Sequence, residues 1–264
     1  MPRLILLALL FMLPAAATAD DKALANLFRE YLDSEFRRHP AFASSQGNRE
    51  FDDRLDDLSA AARTADREEA KKWKAKLDAI DTTALTAAGQ LDLRIWKHAI
   101  DSQLKLWELG LDPFEYDPRV LGTYLSDSVF SLLTQSTLPR ERNVENAARR
   151  IEYVPKLVAA AMDKNDKTLF SKAPKILTEV AVKRNLGAIA FYEKEIFELA
   201  KENPATSVLK EPCKKAAAAL KEYQTFLEKD LLPRSTGDWR IGKEAFAKKL
   251  TLELDAGYTA DEVI

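Results

Sequence analysis

The protein has 264 residues, with 40 Lys and Arg against 42 Asp and Glu and a pI near 5.9. That balance excludes a strongly basic nucleic-acid binder, and 46% hydrophobic with 31% charged residues excludes a disordered chain. Eight glycines disfavour hairpin-rich sheets and phosphate-cradling loops. A single cysteine (Cys213) excludes an internal disulfide, and two histidines (His39, His98) leave little for a His-rich metal site.

Met1 to Ala19 reads as a secretory leader. Arg3 supplies the positive start, Leu4 to Leu13 an unbroken apolar run, Pro14 a break, and Ala17-Thr18-Ala19 a small-x-small cleavage site. Ten apolar residues span about 15 Å as a helix, half of what a bilayer needs. A lipid-anchoring cysteine would have to follow the run directly, and the cysteine is at 213. The mature protein is therefore expected to begin near Asp20, to be secreted or periplasmic, and to keep no stable membrane anchor. Residues 20–264 are expected to form one helical domain.

In chain order, Leu24, Leu27, Phe28, Tyr31, Leu32 and Phe36 lie on one stripe of a first helix that ends at Pro40. Pro40 to Gly47 reads as an irregular connector. A surface helix capped by Ser59 runs to Ile80. Thr82 and Thr83 introduce a long helix through Trp107, with Leu85, Leu91, Leu93, Ile95, Trp96, Ile100, Leu104 and Trp107 as its buried positions, stopped by Gly110. Leu111 to Pro118, with two prolines, reads as a loop. A short buried helix carries Tyr124, Leu125, Val129, Phe130, Leu132 and Leu133, and the next, Arg140 to Lys164, should kink at Pro155. Pro174 and Pro212 each suit the first turn of a further helix, running to about Lys201 and Leu232. A loop from Pro233 to Gly242 leads to a helix from Lys243 to about Asp255, and Thr259-Ala260-Asp261-Glu262 is a capping box announcing another. The chain stops at Ile264, two residues after that signal, which predicts a protein cut short. The pattern as a whole predicts an all-α fold, a multi-helix array of long antiparallel helices.

Few groups point to chemistry. Asp52-Asp53-Arg54-Leu55-Asp56-Asp57 has the Asp-Asp-x-x-Asp spacing that binds magnesium in helical terpene synthases, since carboxylates at i and i+4 share a helix face. The second metal motif of such enzymes does not follow, and acids enriched at a helix start are the simpler reading. His98, Asp101 and Ser102 are close on one helix, whereas catalytic triads converge from separate elements. His39 reads as a helix-end residue favoured by the dipole. Trp73, Trp96, Trp107 and Trp239 could build a sugar or peptide platform, but Trp96 and Trp107 read as core and Trp239 as the exposed candidate. Cys213, at a helix start where a thiolate would be stabilised, reads as a structural thiol.

Together, Phe28-x-x-Tyr31-Leu32, Pro40-x-x-Ala43-Ser44-x-x-Gly47, Phe51-Asp52 with Leu55 and Leu58-Ser59, Leu91-Asp92-Leu93, Leu231-Leu232-Pro233, Ile241-Gly242-Lys243-Glu244-x-Phe246 and Thr259 to Val263 resemble the bacterial domain-of-unknown-function family 885. The resemblance implies a secreted all-helical protein about twice this length, similar to zinc metallopeptidases. It also implies a His-Glu-x-x-Pro-Gly-His helix and a downstream acidic zinc ligand in a C-terminal half. Neither His39 nor His98 is followed by that pattern, so the resemblance assigns no catalytic, cofactor-binding or metal-binding residue to this chain, and zinc is expected only in the other half. The chain is then expected to be an inactive N-terminal half that forms one wall of a substrate cleft, with a peptide substrate as partner once completed. A stand-alone secreted helical binding module is the rival, and a metal-dependent enzyme built on the Asp52 cluster a third possibility.

Overall fold

The computed structural model describes residues 19–263 apart from Ser136, Glu202, Asp255 and Ala256. The expected leader lies outside the described residues up to residue 18. Among those described there is no strand, only an isolated bridge between Pro174 and Gly237. The all-α expectation holds.

Helix α1 (Ala19–Arg38) carries Asp20 and Asp21 in its first turn and Arg37 and Arg38 in its last, each complementing the helix dipole. Pro40 does more than end it. Its fixed φ suits a helix start, so the expected connector contains a short helix, α2 (Pro40–Ser45). Helix α3 (Ala60–Asp78) begins where the Ser59 hydroxyl accepts the Ala62 N–H. It is not merely a surface helix, because it buries Trp73 and Leu77. Helix α4 (Ala87–Glu108) starts later than expected. Thr82–Ala84 make only a 3-10 turn, and Thr86 is the residue whose side chain caps the helix on the Gly89 N–H. Gly110, at φ 70°, takes the left-handed position that ends it.

Two hydrophobic clusters result. Leu24, Trp73, Leu77, Leu85, Leu93, Trp96 and Ile100 close a small core among α1, α3 and α4. Leu91 and Ile95, expected to be buried, are 44% and 59% exposed. The apolar stripe of α4 is wider than the face that its neighbouring helices cover.

The second cluster fills the rest of the molecule. A one-turn helix α5 (Pro113–Tyr116), capped by the Asp112 carboxylate on the Phe114 N–H, interrupts the expected loop. Helix α6 (Arg119–Thr134) follows, burying Leu125, Val129 and Leu132 but leaving Phe130 47% exposed. The kink expected at Pro155 is a complete break between α7 (Arg140–Ile151) and α8 (Val154–Ala161), since Pro155 has no N–H for the Ile151 carbonyl one turn back. Helix α9 (Lys175–Ala190) passes through a π-helical turn, Phe191–Glu195, into α10 (Ile196–Ala200). Helix α11 (Lys210–Phe226) likewise passes through Leu227–Leu231 into α12 (Leu232–Arg234).

Helices α9 and α11 run antiparallel. The Asn185 side chain donates to the Leu220 carbonyl and to Gln224, each at 2.9 Å, while Glu193 pairs with Lys221 at 2.6 Å. Gly237 lies against the Lys172 backbone so closely that a Cβ would overlap its carbonyl. Among the residues whose burial is described, helices α13 (Lys243–Leu254) and α14 (Ala260–Val263) bury none fully. The capping box at α14 forms in part, with the Thr259 N–H donating to the Glu262 carboxylate at 2.7 Å.

Where the two cores meet, charged side chains make much of the contact. Arg63 pairs with Asp166 and Arg67 with Asp112, each at 2.5 Å. Deeper still, Arg150 is fully buried. It donates to the Ser128 carbonyl (2.9 Å), the Ser44 hydroxyl (2.7 Å) and the Phe51 carbonyl (3.1 Å), tying α7 to α6, α2 and the turn before Asp52.

Candidate functional site

The acidic run 52–57 is not on a helix, so its i, i+4 spacing places no two carboxylates together. Each acid has its own partner. Asp52 is buried, accepts the Ser44 hydroxyl at 2.6 Å and is the foremost charge facing Arg150. Asp53 faces Arg54 and Arg149. Asp56 accepts the Ala41 N–H and pairs with His39 at 3.4 Å. Asp57 caps Ser59, whose N–H holds that carboxyl below its usual range, and pairs with Lys156. The run braces the α2–α3 connection; both the magnesium motif and the helix-start reading give way to that.

His98 lies 3.3 Å from the Ser102 hydroxyl, but Asp101 turns to Lys74 at 2.8 Å, so the three do not form a relay. Burial pushes the Cys213 thiol up to about 12, outweighing any benefit of its helix-start position and leaving it a structural thiol. Of the four tryptophans, Trp73 and Trp96 are buried with ring centroids 6.1 Å apart. Trp107 is half-buried beneath Arg67, and Trp239 is 57% exposed beneath Arg240. They do not make one platform.

His39 sits at the elbow between α1 and α2, facing Glu35 and Arg38 of α1, Asp56 of the connector and Asp66 of α3. Burial alone would lower its pKa, but the hydrogen bond and charge of Asp56, with Asp66 and Glu35, outweigh it and raise the value above 6.5. Arg38 already donates to Glu35 and, at 2.6 Å, to Asp66. These residues do not fit zinc. A ligating histidine must be neutral, and the carboxylates here are arranged around two cations. Among the described residues no group of three or more His, Cys, Asp or Glu side chains could hold a metal ion.

A group whose folded pKa is raised adds stability below its unfolded pKa and loses it as pH climbs through the folded one. His39 therefore stabilises the elbow below 6.5 and ceases to do so above its raised pKa. Glu35, raised chiefly by burial, acts in the same sense from 4.5 upward. The thermal midpoint is expected to fall across the window just above pH 6.5, and His39→Gln should flatten that segment. An NMR titration placing the His39 ring below 6.5 would refute the sign.

A concave surface of about 1060 Å³ lies between α1 and α4. Phe28, Tyr31 and Trp96 form its floor, with Phe28 edge-on to Trp96 at 5.1 Å and Tyr31 at 5.2 Å. Leu32, Phe36 and Ile95 extend the apolar lining, Phe42 of α2 and the following Gln46 close one end, and Asp21 and Thr86 the other. Asp21 is held there by the Thr86 N–H (3.1 Å) and hydroxyl (2.7 Å). This groove was missed from sequence. The one available signal was that α4 carries more apolar positions than one buried face needs.

A family model described as a bacterial protein of unknown function, DUF885, matches residues 40–264. The chain belongs to this family. The match opens at Pro40, so the α1 residues Phe28, Tyr31 and Leu32 that supported the resemblance lie before it. Among solved structures, this DUF885 chain is similar in fold to a candidate lipoprotein of unknown function from Shewanella oneidensis, with a TM-score of 0.77 and 20% identity. The likeness covers 91% of this chain and 44% of that one, so the DUF885 chain spans less than half the length of that relative. No curated protein matches the sequence. Among the described residues, no helix of this DUF885 protein is long and apolar enough to cross a membrane.

Proposed function

We propose that this chain is the binding half of a secreted, zinc-peptidase-like DUF885 protein, forming one wall of a polypeptide-substrate cleft. Zinc and the general base belong, in this reading, to sequence outside these 264 residues. The observation that carries it is the α1–α4 groove: a concave, aromatic-floored surface with few charges suits the apolar side chains of a polypeptide. The separate partners taken by His39, His98 and the Asp52 run also support a role in binding rather than in bond cleavage within this chain. The Met1–Ala19 leader, and the description of the Shewanella relative as a lipoprotein, support a location outside the cytoplasm. A stand-alone binding module without catalysis is the second reading, favoured by the two closed cores, and it uses the same groove.

Trp96 lines the groove and reports on it. A pool of mixed-sequence peptides is expected to perturb the tryptophan fluorescence, and Ile95→Ser should weaken that response about tenfold, a loss of about 1.4 kcal/mol. Ile95 is 59% exposed and belongs to neither core, so folding should be unchanged. Undiminished binding by the variant would remove the groove from the proposal.

A further inference from the structure

We infer that the α1–α4 groove takes its polypeptide as an amphipathic α-helix, lying antiparallel to α1 and α4 with a basic last turn. This rests on the reading of the groove as a polypeptide-binding wall, and it adds the conformation and charge of what binds.

Helices α1 and α4 are parallel. Asp21 meets Thr86, while Phe28 and Tyr31 meet Trp96, so contacts advance in the same direction along both. Helix α3 opposes them, with Lys74 paired to Asp101, Asp78 to Lys97, and Arg38 to Asp66. It covers their inner side through Trp73, which packs edge-on to Tyr31 at 5.4 Å. The outer side is open: Phe28 remains 42% exposed and Ile95 59%.

Within the lining, one row of residues on each helix runs at a coiled-coil interval. On α1 they include Asp21, Ala25, Phe28 and Leu32. On α4 they include Ala88, Asp92, Ile95 and Ala99. Both sets step by four, three and four residues, the spacing that keeps a seam of side chains facing another helix. Alanines at 25, 88 and 99 leave holes between the larger Phe28, Leu32 and Ile95, so an incoming helix can seat its own knobs.

An extended peptide fits this surface poorly. The backbone groups of α1 and α4 are spent within the helices, so a strand laid on them would find no ladder for its N–H and C=O groups. A helix satisfies its own backbone. From Asp21 to Phe36 the groove follows α1 for about 22 Å, the length of a helix of about 15 residues.

Charge sets the direction. Of the charged residues in the lining, Asp21 and Asp92 lie toward the end where α1 and α4 both begin, and Arg29 lies farther along α1. A helix bringing its C-terminus there opposes its dipole to theirs, and Lys or Arg in its last turn meets the two carboxylates.

The test uses the full chain and three synthetic peptides of equal composition, followed by tryptophan fluorescence and calorimetry. One carries Leu at a four-three spacing with Lys in its last turn, the second scrambles the stripe, and the third keeps the stripe but has a proline moved to its centre. The striped helix is expected to bind at least tenfold tighter than either of the others, and Asp92→Lys should cost it about tenfold. If the striped and proline-broken peptides bind equally, the helical inference is overturned while the wall reading stands. If none binds, both fail. Sedimentation of the protein alone covers a rival occupant: a dimer dissolved by Ile95→Ser would show that a second copy fills the seam and would overturn the inference.

Discussion

Replacing Arg150 with alanine should cost about 3–5 kcal/mol of folding stability, the range for breaking a buried charged pair by removing one partner. The side chain is fully buried and donates to three acceptors from separate elements: Ser44, Phe51 and Ser128. Its removal takes a donor from each of those acceptors and leaves the buried Asp52 carboxylate with Arg49, at 3.6 Å, as its remaining countercharge. Among the described residues the Oδ2 of Asp52 has no hydrogen-bond partner, so the charges of Arg150 and Arg49 are what make its burial tolerable. Arg150→Met should be nearly as damaging, while Arg150→Met with Asp52→Asn should recover at least half of the loss, because no buried carboxylate short of countercharge then remains, and Arg49 is partly exposed. Urea denaturation of the three variants reads this directly. A loss below about 1 kcal/mol for the alanine variant would show that Arg150 is not the staple described.

Trp73→Ala should be comparably severe, about 3–5 kcal/mol, but its effect should be regional. Trp73 is buried at the centre of the small core, in ring contact with Tyr31 and Trp96 and beneath the Lys76 ammonium at 4.0 Å. It belongs to the α1–α3–α4 cluster alone. Hydrogen exchange should accelerate first in α1, α3 and α4, while α6 through α11, held by a separate cluster, keep their protection. Trp73→Phe is the control. Among the described residues the indole N–H has no partner, so phenylalanine keeps most of the packing and removes a buried donor, and should cost less than about 1.5 kcal/mol. Uniform loss of protection across the chain would mean that the two cores fold as one unit. Because Trp96 spans both the small core and the groove, that result would also bear on how independently the groove can adjust.

Much of the helical pattern was legible because helix signals are local. Ser59 as a cap, the Phe28-x-x-Tyr31-Leu32 stripe, Pro174 at a helix start and the Thr259–Glu262 box depend on neighbours within one or two turns, and each appears in the structure. Errors arose where one residue had two local roles. Pro40 was read as ending a helix and also begins one. Thr82 and Thr83 resemble caps, but Thr86 is the residue that meets a free N–H. Among candidate functional residues, Cys213, read as a structural thiol, is buried. The Asp52 run had two readings, a helix start from its spacing and a connector from the family resemblance, and the second agrees with the structure. The spacing argument assumed helical geometry, and the segment is a turn followed by irregular backbone.

Sequence alone determined that this protein is all-α, that it resembles a family to which 225 of its residues indeed belong, and where most helices begin and end, because composition, periodicity and capping are properties of contiguous residues. Only the tertiary structure decided which side of α4 is covered, that α1 lies parallel to it, and that Asp52 meets Arg150 from a distance of about a hundred positions in the chain. Those outcomes depend on which helices compete for one apolar face, and a stripe of hydrophobic residues specifies that it will be covered without specifying by what. The groove is the consequence: two helices with more apolar surface than α3 can bury, and a seam left open between them.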